Sequence, residues 1–164
     1  MKSTKTDVIV IGAGQAGLAT SYYLTKAEIK HLILERGSIA NAWKNERWDS
    51  FCLVTPNWTI NLPGALDDTV DPEGFMKKNE FVKILENWAK SFQAPVMEGI
   101  CVNELTKTGN VFKIITDSGN FFANQVIIAT ATYQRPKIPQ AFSNLDCECE
   151  LKTVIDYKNP DSLR

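Results

Sequence analysis

The sequence predicts an α/β protein organised around a parallel β-sheet, and three observations support this fold class. A short β-branched run at residues 7–11 has the composition of a strand that is buried on both faces. A glycine-rich turn and a helical pattern follow it directly, at residues 12–26. A second apolar run, at residues 30–35, ends in an acidic residue. Strand, turn, helix and strand in this order form a right-handed βαβ unit with parallel strands.

Composition limits the chain to about one hydrophobic core. The chain has 164 residues, of which 44% are hydrophobic and 23% are charged, so we expect one domain or one domain with a piece of another. The formal net charge is -1 and the basic residues are scattered, which gives no reason to expect nucleic acid or an anionic membrane as a partner. The sequence has no apolar segment of membrane-spanning length and its start lacks the pattern of a signal peptide, so we expect a cytoplasmic protein.

The cysteines do not predict a metal site. Cys52, Cys101, Cys147 and Cys149 match no zinc spacing, and the only histidine is His31, which we interpret as a residue entering the second strand. Cys147 and Cys149 are candidates for a redox pair, but residues two apart on a strand have poor disulfide geometry. We therefore expect reduced, structural cysteines.

The chain after residue 35 predicts less regular structure. Residues 36–72 are rich in tryptophan and turn signals, which is typical of a long loop packed on a larger body. We interpret the carboxylates within residues 67–71 as a solvated acidic loop, not as a cation site. A helix is predicted over residues 79–92, because Phe81, Leu85 and their neighbours share one face.

Short strands dominate the following region. A strand is predicted near residues 99–103, and a hairpin follows with strands at 110–116 and 121–123. Residues 126–130 predict another buried strand of the parallel type.

The glycine turn predicts a dinucleotide site. Gly12 permits the tight turn out of the strand, Gly14 removes a Cβ that would block a pyrophosphate, and Gly17 lets the helix pack closely on the sheet. The backbone amides at the start of the helix, near Gln15 and Ala16, are expected to point at the phosphates.

The acid at the end of the second strand, Glu35, limits which dinucleotides fit the site. Glu35 stands where a carboxylate bonds the ribose hydroxyls of NAD or of the adenosine half of FAD, and it disfavours a 2′-phosphate. We place the adjacent Arg36 in the same site. The motif alone leaves FAD and NAD open, and a tight turn without a ligand is the structural alternative.

Several ordered segments resemble flavin-containing and Baeyer–Villiger monooxygenases, especially bacterial potassium-transport flavoproteins and plant auxin-forming monooxygenases. The order of elements also looks like the FAD domain of two-dinucleotide flavoproteins of the glutathione-reductase type. The similarity covers nearly the whole chain. The segments that carry it are Ile39–Lys44, Glu46–Phe51, Leu53–Asn57, Leu62–Gly64 and the stretch from Ala129 through Tyr133 and Gln134 to Pro136.

The resemblance implies a fold and a set of cofactor contacts. Residues 1–164 would form the N-terminal, incomplete part of a Rossmann-like FAD-binding domain with an inserted β-hairpin. Trp43 would line the flavin side of FAD, although core packing explains this residue equally well; for Trp88, core packing is the better interpretation. The remaining implied contacts are Thr55 near the isoalloxazine ring, the backbone of Cys101 and Val102 at the adenine, Ala129 and Thr130 in the crossing segment, and Asn57 as a weak catalytic candidate.

The sequence departs from the family pattern at three places. Ala40 and Asn41 replace a Gly-Gly pair, and Ala131 replaces the glycine of an Ala-Thr-Gly segment; alanine is costly wherever φ is positive. The third departure is the identifying motif of these monooxygenases, in which only the last of four aligned positions matches: Cys147, Cys149, Thr153 and Tyr157.

The resemblance implies an oxidoreductase in which NADPH reduces FAD, O₂ is captured as a flavin peroxide, and a small-molecule substrate of unknown identity is oxygenated. In the intact family member a second glycine motif, expected shortly after Tyr157, binds NADPH, and the sequence ends at Arg164. We therefore expect this chain to be the FAD-binding portion only. The alternative is a truncated, non-catalytic dinucleotide-binding module, or one part of a split flavoprotein with a separately encoded C-terminal half. A disulfide reductase of the same fold requires Cys-x-x-Cys or Cys-x-x-x-x-Cys, which the sequence lacks.

Overall fold

Six strands and three α-helices make up the part of the chain that the computed structural model describes, residues 3–132, 135–142 and 150–163. None of the helices in these ranges has the length and apolar character needed to cross a membrane. Short 3₁₀ helices lie at Asn57–Thr59, Gln140–Phe142 and Pro160–Ser162. The main elements are β1 (Ser3–Ile11), α1 (Gln15–Lys26), β2 (His31–Leu34), α2 (Asn41–Asn45), α3 (Lys78–Ser91), β3 (Val96–Met97), β4 (Val102–Thr108), β5 (Val111–Thr116) and β6 (Gly119–Ile128).

The predicted parallel sheet is present. Its strand order is β3-β2-β1-β6-β5-β4, and β1 lies between β2 and β6, parallel to both. The register places Ile11 opposite Leu34 on one side and opposite Ile128 on the other. The carboxyl ends of the three central strands therefore lie side by side, at the edge where ligands bind in open α/β sheets.

Helices cover one face of the sheet. Side chains of a strand alternate between the two faces, so Val8, Val10 and Ile33 point to the same side. There they join a buried cluster with Leu18 of α1 and Phe81 of α3. The apolar stripe predicted over residues 79–92 is thus the face that α3 buries.

A second buried cluster lies on the opposite face of the sheet. Ile9 and Leu34 belong to it together with Ile114 and Phe121, which come from β5 and β6. The antiparallel strands β5 and β4 continue the same sheet beyond β6. Their apolar side chains thus bury the face of the parallel strands that the helices do not cover.

The predicted separation of the hairpin from the last parallel strand is wrong. One strand, β6, runs from Gly119 to Ile128, pairs with β5 over its first half and with β1 over its whole length. Asn124 and Gln125 interrupt the apolar pattern and are exposed, yet Gln125 stays in register with Val8. Backbone pairing on two sides keeps these polar residues in the strand. The end of β6 is also less buried than predicted, since Ile128 is 67% exposed.

Three further elements differ from the prediction. The long loop after β2 contains a five-residue helix, α2, which is too short to give a periodic signal. Strand β3 was also not predicted, because its two residues are too few to give a periodic signal. Strand β4 begins and ends later than the predicted strand at residues 99–103.

Two alanines adopt left-handed backbone conformations at the sites where the resembled pattern has glycine. Ala40 has φ 60° and Ala131 has φ 58°. Ala40 is fully buried, whereas Ala131 is exposed. The cost expected from the sequence is therefore present at both positions, since this conformation disfavours a residue with a Cβ.

Glycine at these two positions should have different effects on the free energy of unfolding. Relief of left-handed strain gains about 1–2 kcal/mol, while the extra freedom of the unfolded chain costs about 0.4–1 kcal/mol. Ala131→Gly should therefore stabilise the protein slightly. Ala40→Gly also removes a buried methyl worth about 0.8 kcal/mol, so it should be less stable than Ala131→Gly by about that amount. Urea unfolding of both variants measures the difference, and an Ala131→Gly variant less stable than wild type contradicts the interpretation.

Candidate dinucleotide-binding site

A cavity of about 980 Å³ opens at the carboxyl edge of the sheet, where Ile11, Leu34 and Ile128 end their strands. This volume lies at the upper end of the range for small-molecule and cofactor sites. Ten of the residues predicted to bind a cofactor line it: Gly12, Gly14, Gln15, Ala16, Glu35, Arg36, Trp43, Val102, Ala129 and Thr130.

Two of the turn glycines are required by contacts within the protein. Gly12 has φ 105°, and a Cβ there would lie 2.7 Å from the carbonyl oxygen of Ala129. A Cβ on Gly17 would lie 1.9 Å from the carbonyl oxygen of Gly12. Gly17 is buried and does not line the cavity, so its role is the close packing of α1 on the strand ends.

Gly14 is different, because neither its conformation nor its surroundings in the protein require glycine. Its φ of -82° suits any residue, and a Cβ there would have no protein atom within 4 Å. It lines the cavity at the start of α1. The space beside its Cα therefore fits the close approach of a bound group.

The start of α1 suits an anion. The N-cap, Gly14, provides no side-chain hydrogen bond to the helix, and the first turn carries no acidic residue. The first amides of a helix have no partner within the helix, and the helix dipole favours negative charge at this end. Gln15 and Ala16, the first two helical residues, line the cavity. This end of the helix can therefore receive phosphate oxygens.

Glu35 is held firmly beside the glycine turn. Its side chain is buried, its Oε2 accepts a hydrogen bond from the amide of Ala13 at 2.8 Å, and its Oε1 accepts one from the amide of Gly37 at 2.9 Å. Each carboxylate oxygen has a second lone pair, so Glu35 can still accept a bond from a hydroxyl in the cavity. The predicted hydrogen bond of Glu35 with a ribose stays a prediction.

Trp43 takes part in the core and in the cavity wall. Its ring packs edge-on against Phe81 with centroids 5.0 Å apart, and lies 5.7 Å from Phe51. The same side chain lines the cavity. Core packing, one of the two interpretations that the sequence left open, is therefore confirmed, and the contact of Trp43 with the flavin stays a prediction. Trp88, in contrast, is buried beside Tyr22 and donates to the carbonyl of Pro63, as expected for core packing.

Arg47 is a cavity residue that the sequence alone did not single out. Its guanidinium lies 5.5 Å from the ring centroid of Trp43 and 5.8 Å from that of Phe51, which is cation–π geometry. Arg47 also lines the cavity. A sequence signal that could have identified Arg47 is its position, four residues after Trp43. The sequence also did not single out several other residues that line the cavity: Asn41 at the start of α2 and, from loops, Asn61, Leu62, Ile100 and Arg135.

Besides Gly17, two predicted residues do not line the cavity. Thr55 is exposed and its hydroxyl accepts a hydrogen bond from Thr59. Asn57 is buried within the loop, where its Nδ2 donates to the carbonyl of Asp71 at 2.9 Å and its Oδ1 accepts from the amide of Met76 at 3.0 Å. Asn57 thus joins two stretches of loop, and a catalytic role for it stays a prediction.

The other candidate groups have local partners. His31 begins β2 and is bonded by its ring nitrogens to the hydroxyl of Ser21 and the carbonyl of Ile29. Asp67 accepts hydrogen bonds from the hydroxyl and the amide of Thr69, and these bonds lower the pKa of its carboxyl group. Cys52 and Cys101 are free thiols.

Four positions from the sequence analysis lie outside the described residues: Tyr133, Gln134, Cys147 and Cys149.

Comparison with known proteins identifies related sequences and structures. A family model described as "Pyridine nucleotide-disulphide oxidoreductase" matches residues 9–159. An uncharacterized CzcO-like oxidoreductase of Geobacillus kaustophilus is 39% identical over 96% of this chain and 45% of its own length. The probable indole-3-pyruvate monooxygenase YUCCA1 of Arabidopsis thaliana is 35% identical over 80% of this chain and 33% of its own length.

Solved structures show the same fold. A flavin-containing monooxygenase from Stenotrophomonas maltophilia superposes with a TM-score of 0.74 and 27% identity, over 84% of this chain and 42% of that protein. The chain spans less than half the length of these relatives.

Proposed function

The chain belongs to the pyridine nucleotide-disulphide oxidoreductase family, and on that premise we propose that it binds FAD as the FAD-binding portion of a flavin-containing monooxygenase-type enzyme. The observation that carries the proposal is the open space beside Gly14, at the helix start and next to the buried carboxylate of Glu35. We propose further that residues 1–164 form part of one Rossmann-like dinucleotide-binding domain.

Different cavity residues hold different parts of FAD. The amides at the start of α1 bind the pyrophosphate, and Glu35 accepts hydrogen bonds from the ribose hydroxyls. The backbone near Cys101 and Val102 faces the adenine. Trp43 and Arg47 form an aromatic and cationic wall that shields the flavin side from water. The cofactor, when bound, supplies an isoalloxazine ring that accepts hydride, while the protein supplies binding and orientation.

The activity of the whole enzyme requires parts that the relatives carry in their remaining length. We propose that NADPH is the reductant and a small molecule the substrate, with the NADPH site in a second dinucleotide-binding unit. A disulfide-reductase reaction by these residues is disfavoured, because residues 1–164 contain no Cys-x-x-Cys or Cys-x-x-x-x-Cys pair. A cytoplasmic location is part of the same proposal, since Cys52 and Cys101 are free thiols.

A second candidate function is a non-catalytic FAD-binding module, or one half of a split flavoprotein that acts with a separate C-terminal half. The departures from the monooxygenase identifying motif at Cys147, Cys149 and Thr153 favour it. NADPH-dependent oxygen consumption by the purified chain with FAD tests the non-catalytic module. Consumption above that of free FAD rules this candidate out.

Substitution of Gly14 tests the FAD site without disturbing the fold. Gly14→Ala should keep the melting temperature of wild type, because the new Cβ meets no protein atom. It should weaken FAD binding by roughly tenfold or more, because the methyl occupies the space of the pyrophosphate. Titration of FAD with protein, followed by flavin fluorescence, measures the affinity.

Gly17→Ala is the matched control for this experiment. Its Cβ would lie 1.9 Å from the carbonyl oxygen of Gly12, so this variant should lose stability as well as affinity. Unchanged FAD affinity in a folded Gly14→Ala protein contradicts the proposed binding mode.

Glu35 should determine the preference between ribose forms. ADP-ribose should compete with FAD better than 2′-phospho-ADP-ribose, because the buried carboxylate accepts a hydroxyl bond and repels a phosphate. Glu35→Gln removes the negative charge, so the ratio of the two inhibition constants should fall several-fold. Competitive displacement of bound FAD measures both constants. Equal competition by the two compounds in the wild-type protein argues against this role.

A further inference from the structure

The C-terminal segment, residues 150–163, docks on the turn that follows α2. The Nζ of Lys158 donates to the carbonyl of Asn45 at 2.6 Å, and the carbonyl of Lys158 accepts from the amide of Asp49 at 2.8 Å. The Nδ2 of Asn159 donates to Oδ2 of Asp49 at 2.8 Å. Two adjacent residues of the segment thus hold both ends of the turn at residues 45–49, from more than 100 positions away in sequence.

These bonds have clear physical reasons. Asn45 is the last residue of α2, where helix carbonyls lack partners within the helix, and the ammonium of Lys158 supplies one. The hydrogen bond from Asn159 is the largest of the causes that lower the pKa of Asp49, with nearby Lys78 and Lys158 adding to it. Asp49 is therefore ionised near neutral pH and accepts a charge-assisted bond.

The segment is ordered by its own contacts before and after the docking residues. The hydroxyl and amide of Thr153 donate to the carboxylate of Asp156, which closes a turn ahead of Lys158. The hydroxyl of Ser162 donates to the carbonyl of Asn159. Lys158 and Asn159 are thus presented from a shaped segment, so less freedom is lost when they bind the turn.

The turn at residues 45–49 carries groups that reach the cavity. Arg47 lies at its centre and stacks over Trp43, with both side chains lining the cavity. Glu46, its neighbour, forms an ion pair with Arg36, which lines the cavity from the end of β2. A shift of the turn would therefore move two cationic side chains at once.

We propose that Lys158 and Asn159 are positioning residues for FAD: they clamp the turn at residues 45–49 and so orient Arg47 and Arg36 at the cavity. The clamp rests on the proposed function, FAD binding. It acts through the turn and does not touch the cofactor itself.

Exchange of one hydrogen-bonded pair tests the clamp. Asn159→Ala should raise the dissociation constant for FAD on the order of threefold to tenfold, since it removes one charge-assisted bond at a partly exposed site. Asn159→Asp should raise it further, because two carboxylates then face each other. The double variant Asp49→Asn with Asn159→Asp reverses donor and acceptor, and should restore the dissociation constant to within about twofold of wild type.

Lys152→Ala is the matched control, because Lys152 pairs with Glu150 inside the segment and makes no described contact with the turn. It should leave the FAD dissociation constant unchanged. Melting temperatures of all variants check that each is folded, and flavin fluorescence titration gives each affinity.

The outcomes separate the clamp from the proposed function. A wild-type protein that does not bind FAD overturns the proposed function and the clamp with it. Wild-type binding with unchanged affinity in Asn159→Ala and Asn159→Asp overturns the clamp alone. A loss in both single variants that the double variant does not restore also overturns it, since the bond to Asp49 is then not what positions the cavity wall. Loss in the single variants with restoration in the double variant supports it.

Discussion

The close approach of backbone atoms in the turn after β1 is the constraint on which the rest of the site depends. Gly17 packs against the carbonyl of Gly12, and Gly12 packs against the carbonyl of Ala129, with no room for a Cβ at either glycine. These contacts join the first helix, the first strand and the end of β6 at one point. They place the start of α1 at the carboxyl edge of the sheet, where its amides face the cavity. Without these contacts α1 could not pack closely on the strand ends, and the cavity would lose the side that the start of α1 forms.

The layers of the molecule explain why this edge is open while the faces are closed. Helices α1 and α3 cover one face of the parallel strands, and apolar side chains of β5 and β6 join a second buried cluster on the other face. The carboxyl edge is lined by the start of α1, by α2 and by loops: the turn after β1, the long stretch after β2 and the segment leading into β4. Loops positioned by a rigid sheet are the usual place for binding residues, because their side chains are not needed for the core.

Trp43 shows how the wall and the core are coupled. Its ring packs on Phe81 of α3 and at the same time faces the cavity, with Arg47 stacked on it. The same coupling extends to the C-terminal segment through the turn at residues 45–49. In cofactor-dependent enzymes the cofactor carries the chemistry, and the protein contributes binding, orientation and exclusion of water. Each of these properties depends on how firmly such loops are held.

The sequence determined the fold class, the βαβ unit, helix α3, the glycine turn and Glu35, because each depends on local rules. Strand burial, helical periodicity and the spacing from Gly12 to Glu35 are read directly from neighbouring residues. The continuity of β6, the helix α2 and the cavity role of Arg47 depend on pairing and packing between distant segments, so no local pattern revealed them. Asn57 illustrates the same limit, since its motif suggested chemistry while its contacts join two parts of a loop. Local sequence specifies the groups that can hold a dinucleotide, and long-range contacts specify the wall that surrounds them.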